Sequence, residues 1–230
     1  ADMLAKEGEE SVNSLLTKKL ADFVRTLDPT RPITAGCNEP NPANHLFRSG
    51  ALDIIGYNYH NVNIPEVPKN FPGKPFIITE SNSALMTRGY YRMPSDQMFI
   101  WPERWDKPFY DSTFACSSYE NCHVPWGNTH EESLLLIKKN DFISGQYVWT
   151  GFDYIGEPTP YGWPARSSYF GIVDLAGFPK DVYYLYQSEW TEKQVLHLFP
   201  HWNWTEGQDV DMWCYYNQAD EVELFVNGKS

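Results

Sequence analysis

Apolar residues recur at helical spacing near the start of the chain and then gather into short continuous runs. Over residues 12–27 they share one face at a period of about 3.6 residues, which predicts an amphipathic helix ended by Asp28-Pro29. The later runs predict buried parallel strands, since strands covered on both faces are continuously apolar rather than alternating. The apolar helical positions are Val12, Leu15, Leu16, Phe23, Val24 and Leu27, with Leu20 beside them, and the predicted strands are residues 32–36, 53–60, 74–80 and 143–152.

The first three predicted strands begin about 21 residues apart, which is typical of a short βα repeat. The repeat is interrupted by residues 84–130, a long aromatic stretch that contains several prolines. Irregular segments of that length in a compact domain are usually functional. Helical patterns return over residues 131–140 and 181–190. Together these elements predict an α/β fold.

Near the end of the chain the pattern changes from alternating strands and helices to strands alone. Residues 210–216 and 221–226 predict two strands joined by a turn, and the second strand alternates polar and apolar positions. A lone hairpin is only marginally stable in water, so we expect further strands of an all-β domain to follow downstream. With no initiator methionine and no signal peptide pattern over residues 1–7, we expect a piece of a longer protein.

Charge and composition exclude several classes of protein. The chain has 18 Lys and Arg against 30 Asp and Glu, and its formal net charge of −12 argues against duplex DNA or an anionic membrane as partner. Aromatic residues make up 16% of the chain, which excludes a disordered chain and leaves some aromatic side chains to face a ligand. No apolar run approaches the ~20 residues of a membrane-spanning helix.

The four cysteines are too few for a disulfide scaffold. Cys116 and Cys122 are close enough in sequence to bridge within one loop, and two free thiols are an equally good interpretation. Neither the cysteines nor the histidines have metal-ligand spacing, so we expect no zinc site.

Two of the predicted strands end on residues that could do chemistry on a sugar. Residues 74–80 close on Glu80, and in a barrel of parallel strands the carboxyl end of each strand faces the active site. A glutamate on a surface loop is the alternative. Trp149 lies toward the end of the next predicted strand, where its indole offers a flat face to the C–H groups of a sugar ring, and a core tryptophan is the alternative.

Hydrogen-bonding side chains end the strand that precedes Glu80. They are Tyr57, Asn58, Tyr59 and His60, whose phenol, amide and imidazole groups suit sugar hydroxyls. Because successive side chains point to opposite faces of a strand, a structural role explains any one of them as well as a functional role does. For His60, a satisfied polar residue is a simpler interpretation than a general base.

Five segments of the chain resemble segments of glycoside hydrolase family 2, which contains β-galactosidases, β-glucuronidases and β-mannosidases. The resemblance covers nearly the whole chain, and the segments are specific together although each is weak alone. In chain order they read LDIIGYNYH, KPFIITESNS, GQYVWTGFDYIGEP, YFGIVDLAGFPKDVYYLYQSEW and VELFVNGKS.

The resemblance implies a fold and a set of site residues. Residues 1–192 would form strands five to eight of a (β/α)8 TIM barrel, and residues 193–230 would begin an immunoglobulin-like β-sandwich. Glu80 would be the nucleophile of a retaining exo-β-glycosidase, with Tyr59 beside it and Trp149 stacked on the sugar. The remaining predicted substrate-binding residues are Asn58, His60 and Asn82.

The family's acid/base glutamate belongs to an Asn-Glu pair that ends the fourth barrel strand. Residues 9–27 resemble the helix after that strand, so the pair is expected before Ala1. Asn38-Glu39 is a tempting substitute, but it ends the segment that matches the fifth strand, where the family pattern does not place the acid. We therefore expect negligible turnover from this chain alone.

The resemblance also bears on the substrate. The glucuronidase branch has an Asn-x-Lys motif for the sugar carboxylate, and the matching stretch SYF at residues 168–170 offers no cation. This implies a neutral β-linked sugar, galactose first. The two-carboxylate chemistry of the family requires no cofactor. On the long segment 84–130, Trp101, Trp105 and Trp126 either shape an aglycone subsite or merely pack the segment onto the barrel.

Other functions fit the same residues. A non-catalytic carbohydrate-binding module would also combine clustered aromatic side chains with acidic charge. Another barrel glycosidase, whether β-mannosidase-like, β-glucuronidase-like or cellulase-like, would share Glu80. In each case the expected partner is a carbohydrate, with no nucleic acid and no membrane. The open edge of a half barrel predicts low solubility, a homo-oligomer paired through that edge, or ordering by missing residues supplied from elsewhere.

Overall fold

The computed structural model describes residues 11–107 and 109–230. These residues divide into two units, the first made of residues 11–84 and 123–150 and the second of residues 85–107, 109–122 and 151–230. No helix formed by the described residues combines the length and the apolar character needed to cross a bilayer.

The helices and strands are named in chain order. The helices are α1 (Val12–Leu27), α2 (His45–Arg48), α3 (Val67–Asn70), α4 (His130–Lys138) and α5 (Asp181–Trp190), with a 3₁₀ helix at Asn61–Glu66. The strands are β1 (Ile55–Asn58), β2 (Phe76–Asn82), β3 (Phe99–Ile100), β4 (Cys122–His123), β5 (Ile143–Trp149), β6 (Leu196–Phe199) and β7 (Trp213–Tyr216).

The first unit is built on a parallel sheet in which β2 lies between β1 and β5. Three of the four predicted parallel strands are therefore present. The register slips once within β2, because Ile78 pairs with Tyr57 whereas Glu80 pairs with the next residue, Asn58. The pairing with β5 shifts twice: β5 has the extra residue between Phe76 and Ile78, and β2 has it between Ile78 and Ser81. We conclude that β2 carries one extra residue, a β-bulge, just before its carboxyl end.

One face of this sheet forms the hydrophobic core of the first unit. The sheet residues of the core are Ile55, Tyr57, Phe76, Ile78 and Ile143, and partly buried side chains from α2, α4 and the connecting segments pack on them. The rings of Tyr57 and Phe76 meet edge to face, with centroids 5.2 Å apart. Fully burying a side chain of this size contributes about 1.5–3 kcal/mol, so this cluster fixes the sheet that carries Glu80.

The prediction of a strand at residues 32–36 is wrong. The segment runs beside the start of β1, and its Ile33 carbonyl accepts hydrogen bonds from Asp53 and Ile54, but it joins no ladder. The Ile33 amide is instead bound by the Asp53 carboxylate, at 2.8 Å. A side chain thus satisfies a donor that a strand would have given to its neighbour.

The predicted first helix is present as α1. Ser11 caps its start by accepting a hydrogen bond from the Ser14 amide. The buried residues of the helix are Ser14 and Ala21, whereas the apolar stripe that defined the helix in the sequence is 45–80% exposed. The periodicity therefore predicted the helix correctly, and the stripe is turned toward solvent.

The predicted pairing of residues 210–216 with residues 221–226 in a C-terminal hairpin is wrong. The strand β7 is present, but its antiparallel partner is β6, which the sequence pattern did not reveal. Residues 221–226 form no strand. Asn217 explains the pairing, because its side chain accepts from the Val195 amide and donates to the Lys193 carbonyl, which brings the end of β7 beside the start of β6.

The rest of the second unit agrees better with the elements predicted from the sequence. The helix α5 spans the predicted residues, and most of residues 84–130 is irregular apart from the short β3–β4 pair. Cys116 and Cys122 are both fully buried free thiols, so the disulfide alternative is not formed. Burial raises the pKa of the Cys116 thiol, and a hydrogen bond with Cys122 adds to this effect.

The fold is thus α/β, with an open three-stranded sheet rather than a closed barrel. The assignment of that sheet to one part of a TIM barrel, the domain boundary between residues 192 and 193, and the β-sandwich remain predictions.

Candidate active site

Glu80 lies near the carboxyl end of β2, the central strand, and is bound by Tyr59, the first residue after β1. The Tyr59 phenol donates to Oε2 of Glu80 at 2.7 Å, and the Tyr59 amide donates to the Glu80 carbonyl, also at 2.7 Å. The register that pairs Asn58 with Glu80 brings the two residues together. Tyr59 therefore fixes both the backbone and the carboxylate of Glu80.

Left-handed backbone conformations occur in pairs beside this carboxylate. Tyr59 and His60 have φ angles of 58° and 57°, and Asn82 and Ser83 have φ angles of 76° and 56°. A non-glycine residue in this region costs on the order of 1–3 kcal/mol, and such residues cluster at functional sites. The carboxyl ends of β1 and β2 both carry this feature.

Trp149 ends β5, the strand on the other side of β2. It pairs with Asn82, and its carbonyl accepts a hydrogen bond from the Ser83 amide at 3.4 Å. Its side chain is partly buried, and the peptide bond that follows it is cis. Glu80, Tyr59 and Trp149 therefore come from three adjacent segments at one edge of the sheet, as the sequence predicted for the carboxyl ends of parallel strands.

The other predicted substrate-binding residues make contacts within the protein. Asn58 is buried, and its side-chain oxygen accepts from the Thr79 hydroxyl at 2.7 Å. The His60 ring nitrogen Nε2 lies 2.6 Å from the carbonyl oxygen of Asn38. Asn82 is fully buried and donates to the Ser81 hydroxyl at 2.9 Å. These contacts brace the edge of the sheet, and a role in binding sugar stays a prediction for each residue.

A second segment of the first unit packs on the turn after β2. The Asn128 amide donates to the Asn82 carbonyl at 2.7 Å, and the approach is so close that a Cβ added to Gly127 would lie 2.4 Å from the same oxygen. Trp126, 37% exposed, is the residue before this glycine. Trp126 was a predicted subsite residue and Gly127 was not, although the Trp-Gly-Asn turn is a signal for Gly127 in the sequence.

The other two tryptophans of the predicted subsite belong to the second unit. Trp101 packs against the rings of Phe99 and Phe109, at centroid distances of 5.3 and 4.8 Å, which is the packing role that the sequence left open. Trp105 is 78% exposed. A subsite role stays a prediction for both.

Asn38 and Glu39 line a cavity of about 280 Å³ together with residues of α1 and α2. Glu80 is not among the residues of that cavity. Burial raises the pKa of the Cys37 thiol, which lies on the same wall. Glu39 and Glu80 therefore do not line this cavity together.

Residues 168–170, the stretch matched to the glucuronidase motif, lie in the second unit, where Ser168 and Phe170 are buried. The cation nearest in sequence on the C-terminal side, Lys180, is also buried. Its amino group forms an ion pair with Asp153 at 2.8 Å and donates to the carbonyls of Met86 and Tyr169. Lys180 is therefore fully engaged by the protein.

Metal ligands are not evident in the described part of the chain. Over residues 11–107 and 109–230, no three side chains of His, Cys, Asp or Glu converge in a way that could hold a metal ion.

The chain is similar to several known glycosidases. The beta-galactosidase BoGH2A of Bacteroides ovatus is 88% identical over 100% of this chain and 27% of its own length. A putative beta-glucuronidase of Formosa agariphila is 32% identical over 97% of this chain and 23% of its own length. The crystal structure of a beta-glycosidase from Bacteroides vulgatus is similar with a TM-score of 0.71 and 31% identity, covering 88% of this chain and 28% of that one.

A family model described as "Domain of unknown function (DUF4982)" matches residues 207–230. The chain spans about a quarter of the length of the relatives it matches.

Proposed function

This chain belongs to glycoside hydrolase family 2, and we propose that it supplies the nucleophile-bearing part of the catalytic barrel of a retaining exo-β-glycosidase. The observation that carries the proposal is the hydrogen-bonded pair of Tyr59 and Glu80 at the carboxyl edge of a parallel sheet. Trp149, which ends the adjacent strand, supplies the apolar surface for a sugar ring.

Retaining hydrolysis needs two carboxyl groups about 5–5.5 Å apart, one on each side of the bond to be cleaved. In our proposal Glu80 attacks the anomeric carbon while the acid protonates the departing oxygen, which leaves a sugar ester on Glu80. Water then attacks the same carbon after giving a proton to the second carboxylate, and the Glu80 carboxylate is released. The Tyr59 phenol holds Oε2, so that Oε1 is the oxygen presented to the sugar.

We propose that the acid/base glutamate precedes this chain in the longer polypeptide. The proposal rests on the family resemblance of α1, and the position of Glu39 agrees with it. Glu39 lines a cavity formed with α1 and α2, and Glu80 does not reach that cavity.

A neutral sugar, galactose first, is the substrate that we propose. The relative from Bacteroides ovatus is named a beta-galactosidase. Phe170, which stands where the glucuronidase motif has its lysine, is fully buried, and Lys180 is held by Asp153. A β-glucuronide is the second candidate, because the relative from Formosa agariphila is named a putative beta-glucuronidase.

The test uses the full-length polypeptide that contains this chain. An aryl 2-deoxy-2-fluoro-β-galactoside should trap the covalent intermediate, and peptide mapping should find the sugar on Glu80. The Glu80→Gln variant should lose both the label and turnover, whereas the matched Glu39→Gln variant should keep them. A label on another carboxylate would refute the assignment of Glu80, and binding of sugar with no label and no turnover would favour a carbohydrate-binding module. The corresponding fluoro-glucuronide distinguishes the two candidate substrates.

A further inference from the structure

The connection between β6 and β7 folds around a cavity of about 400 Å³. All of its lining residues come from residues 202–212 of the second unit, and none of them belongs to the candidate active site. They include Trp202, Trp204, Glu206 and Gln208.

The cavity is held open by contacts at both ends of the connection. The Asp211 carboxylate accepts from the Ser95 amide at 2.7 Å, and the Asp211 carbonyl accepts from the Tyr119 phenol at 2.7 Å. Near the other end, Nε2 of His201 lies 3.1 Å from the carbonyl oxygen of Gly89. Between them the chain turns at Gly207, whose φ of 82° suits a residue without a Cβ. The wall is therefore preformed.

The two tryptophans of the cavity are in different states. Trp204 is fixed, because it stacks on His201 at 5.0 Å and its indole nitrogen donates to the His201 carbonyl at 2.6 Å. Trp202 is 66% exposed, and within residues 11–107 and 109–230 its indole makes neither a hydrogen bond nor a ring contact. An exposed indole beside a preformed cavity offers a flat face to a ligand that has C–H groups of its own.

The polar groups of the cavity indicate the charge of that ligand. Glu206 contributes a carboxylate and Gln208 an amide, and neither side chain has a hydrogen-bond partner in the described part of the protein. No lysine or arginine lines the cavity. Carboxylate and amide groups bind hydroxyls well, and an unpaired carboxylate disfavours a carboxylated or sulfated ligand.

From this combination we propose that the connection between β6 and β7 binds a neutral saccharide, with Trp202 as the stacking surface. The proposal involves no residue of the candidate active site and does not depend on the function proposed for Glu80. In a full-length enzyme it would hold a carbohydrate chain without cleaving it.

The test measures binding by titration calorimetry in the full-length protein carrying Glu80→Gln, with cellotetraose, β-1,4-galactotetraose and β-1,4-mannotetraose as probes. At least one probe should bind, and Trp202→Ala should weaken its binding by about tenfold or more, the usual loss for a central aromatic contact. Trp190→Ala removes an indole that is 55% exposed elsewhere in the second unit and should leave binding unchanged. Trp202→Phe should retain part of the affinity, which separates lost stacking from misfolding.

Three outcomes would overturn the proposal. The first is binding that Trp202→Ala leaves unchanged, and the second is the absence of binding to any of the three neutral probes. The third is a Trp202 signal, taken as the difference in emission between the sugar-free full-length protein and its Trp202→Phe variant, that acrylamide leaves unquenched, which would show that another segment covers it. Labelling of Glu80 by the fluoro-sugar is measured separately, so either proposal can fail alone.

Discussion

The phenol of Tyr59 and the carboxylate of Glu80 are joined across adjacent strands by a hydrogen bond of 2.7 Å, and a backbone bond of the same length joins the same two residues. Tyr59 is therefore tied to Glu80 through both its backbone and its side chain. Because the phenol donates to a single carboxylate oxygen, it sets the orientation of the other oxygen as well.

The first prediction concerns the loss of the Tyr59 hydroxyl group. In the full-length protein, Tyr59→Phe should lower kcat for an aryl β-galactoside by roughly ten- to a hundredfold, since a hydrogen bond to a charged group contributes about 1.5–3 kcal/mol. Tyr57→Phe is the matched control, because the Tyr57 phenol donates to the Pro40 carbonyl instead. Equal losses in both variants would show that Tyr59 acts only through stability.

The second prediction concerns the 230-residue chain by itself. Its turnover of aryl β-galactosides should be negligible, because the proposed mechanism needs a second carboxyl group about 5–5.5 Å from the nucleophile and Glu39 lines another cavity. Release of nitrophenol by the purified chain is the measurement. Robust hydrolysis that Glu39→Gln abolishes would show that Asn38-Glu39 is the acid/base pair after all.

The third prediction tests the contact between Gly127 and the turn after β2. A Cβ at this position would lie 2.4 Å from the Asn82 carbonyl oxygen, so Gly127→Ala must displace backbone two residues from Glu80. We expect a loss of about 1–3 kcal/mol in unfolding free energy and a fall in kcat of about tenfold or more. Gly162→Ala is the control, since a Cβ there meets nothing within 4 Å. Full activity of Gly127→Ala would mean that this turn does not position Glu80.

The fourth prediction concerns the buried ion pair of the second unit. Burial lowers the pKa of Lys180 and raises the pKa of Asp153, so each charge depends on the other to stay ionised. Lys180→Met should lower the unfolding free energy by about 3–5 kcal/mol, because it leaves a buried carboxylate unpaired. Adding Asp153→Asn should restore part of that loss. A double variant less stable than Lys180→Met, measured by urea denaturation, would contradict this interpretation.

The fifth prediction is a pH dependence at Asp53. The hydrogen bond from the Ile33 amide lowers the pKa of this carboxyl below its ordinary value of 3.8, and Arg25 lowers it further. The folded form therefore binds the proton less tightly than the unfolded form does. The stabilisation is complete above pH 3.8 and is lost as the pH falls through the lower, folded value.

Amide proton NMR tests this directly, because the Ile33 resonance should titrate with a midpoint below 3.8. Asp53→Asn should remove that titration while leaving the resonance of a remote amide unchanged. A midpoint at or above the ordinary value would contradict the prediction.

The sequence predicted the part of the fold that local patterns encode. Continuous apolar runs located β1, β2 and β5, and helical periodicity located α1 and α5. It also placed Glu80 and Trp149 at one edge of the sheet, because parallel strands end together. The helices and strands share a cause, since each depends on side chains only a few residues apart in sequence.

The failures arise where distant residues decide the structure. The Asp53 carboxylate takes the amide of Ile33 and replaces a ladder bond, and Asn217 brings β7 to β6. The alternating residues 221–226 fit a strand, yet a strand forms only with a neighbour to pair with. The backbone bond between Tyr59 and Glu80 is of the same kind, because no property of either residue reveals the register of the other.

The bulge in β2 has a consequence for any comparison of this strand between proteins. In a regular strand without a bulge, Phe76, Ile78 and Glu80 would share one face of the sheet. The Glu80 carboxylate would then point into the hydrophobic core. One inserted residue resets the parity and turns the acid toward Tyr59. Deleting Thr79 would therefore move the Glu80 side chain to the opposite face of the sheet, rather than displace it along the same face. An alignment wrong by a single position at this strand would therefore assign the Glu80 carboxylate to the wrong side of the sheet.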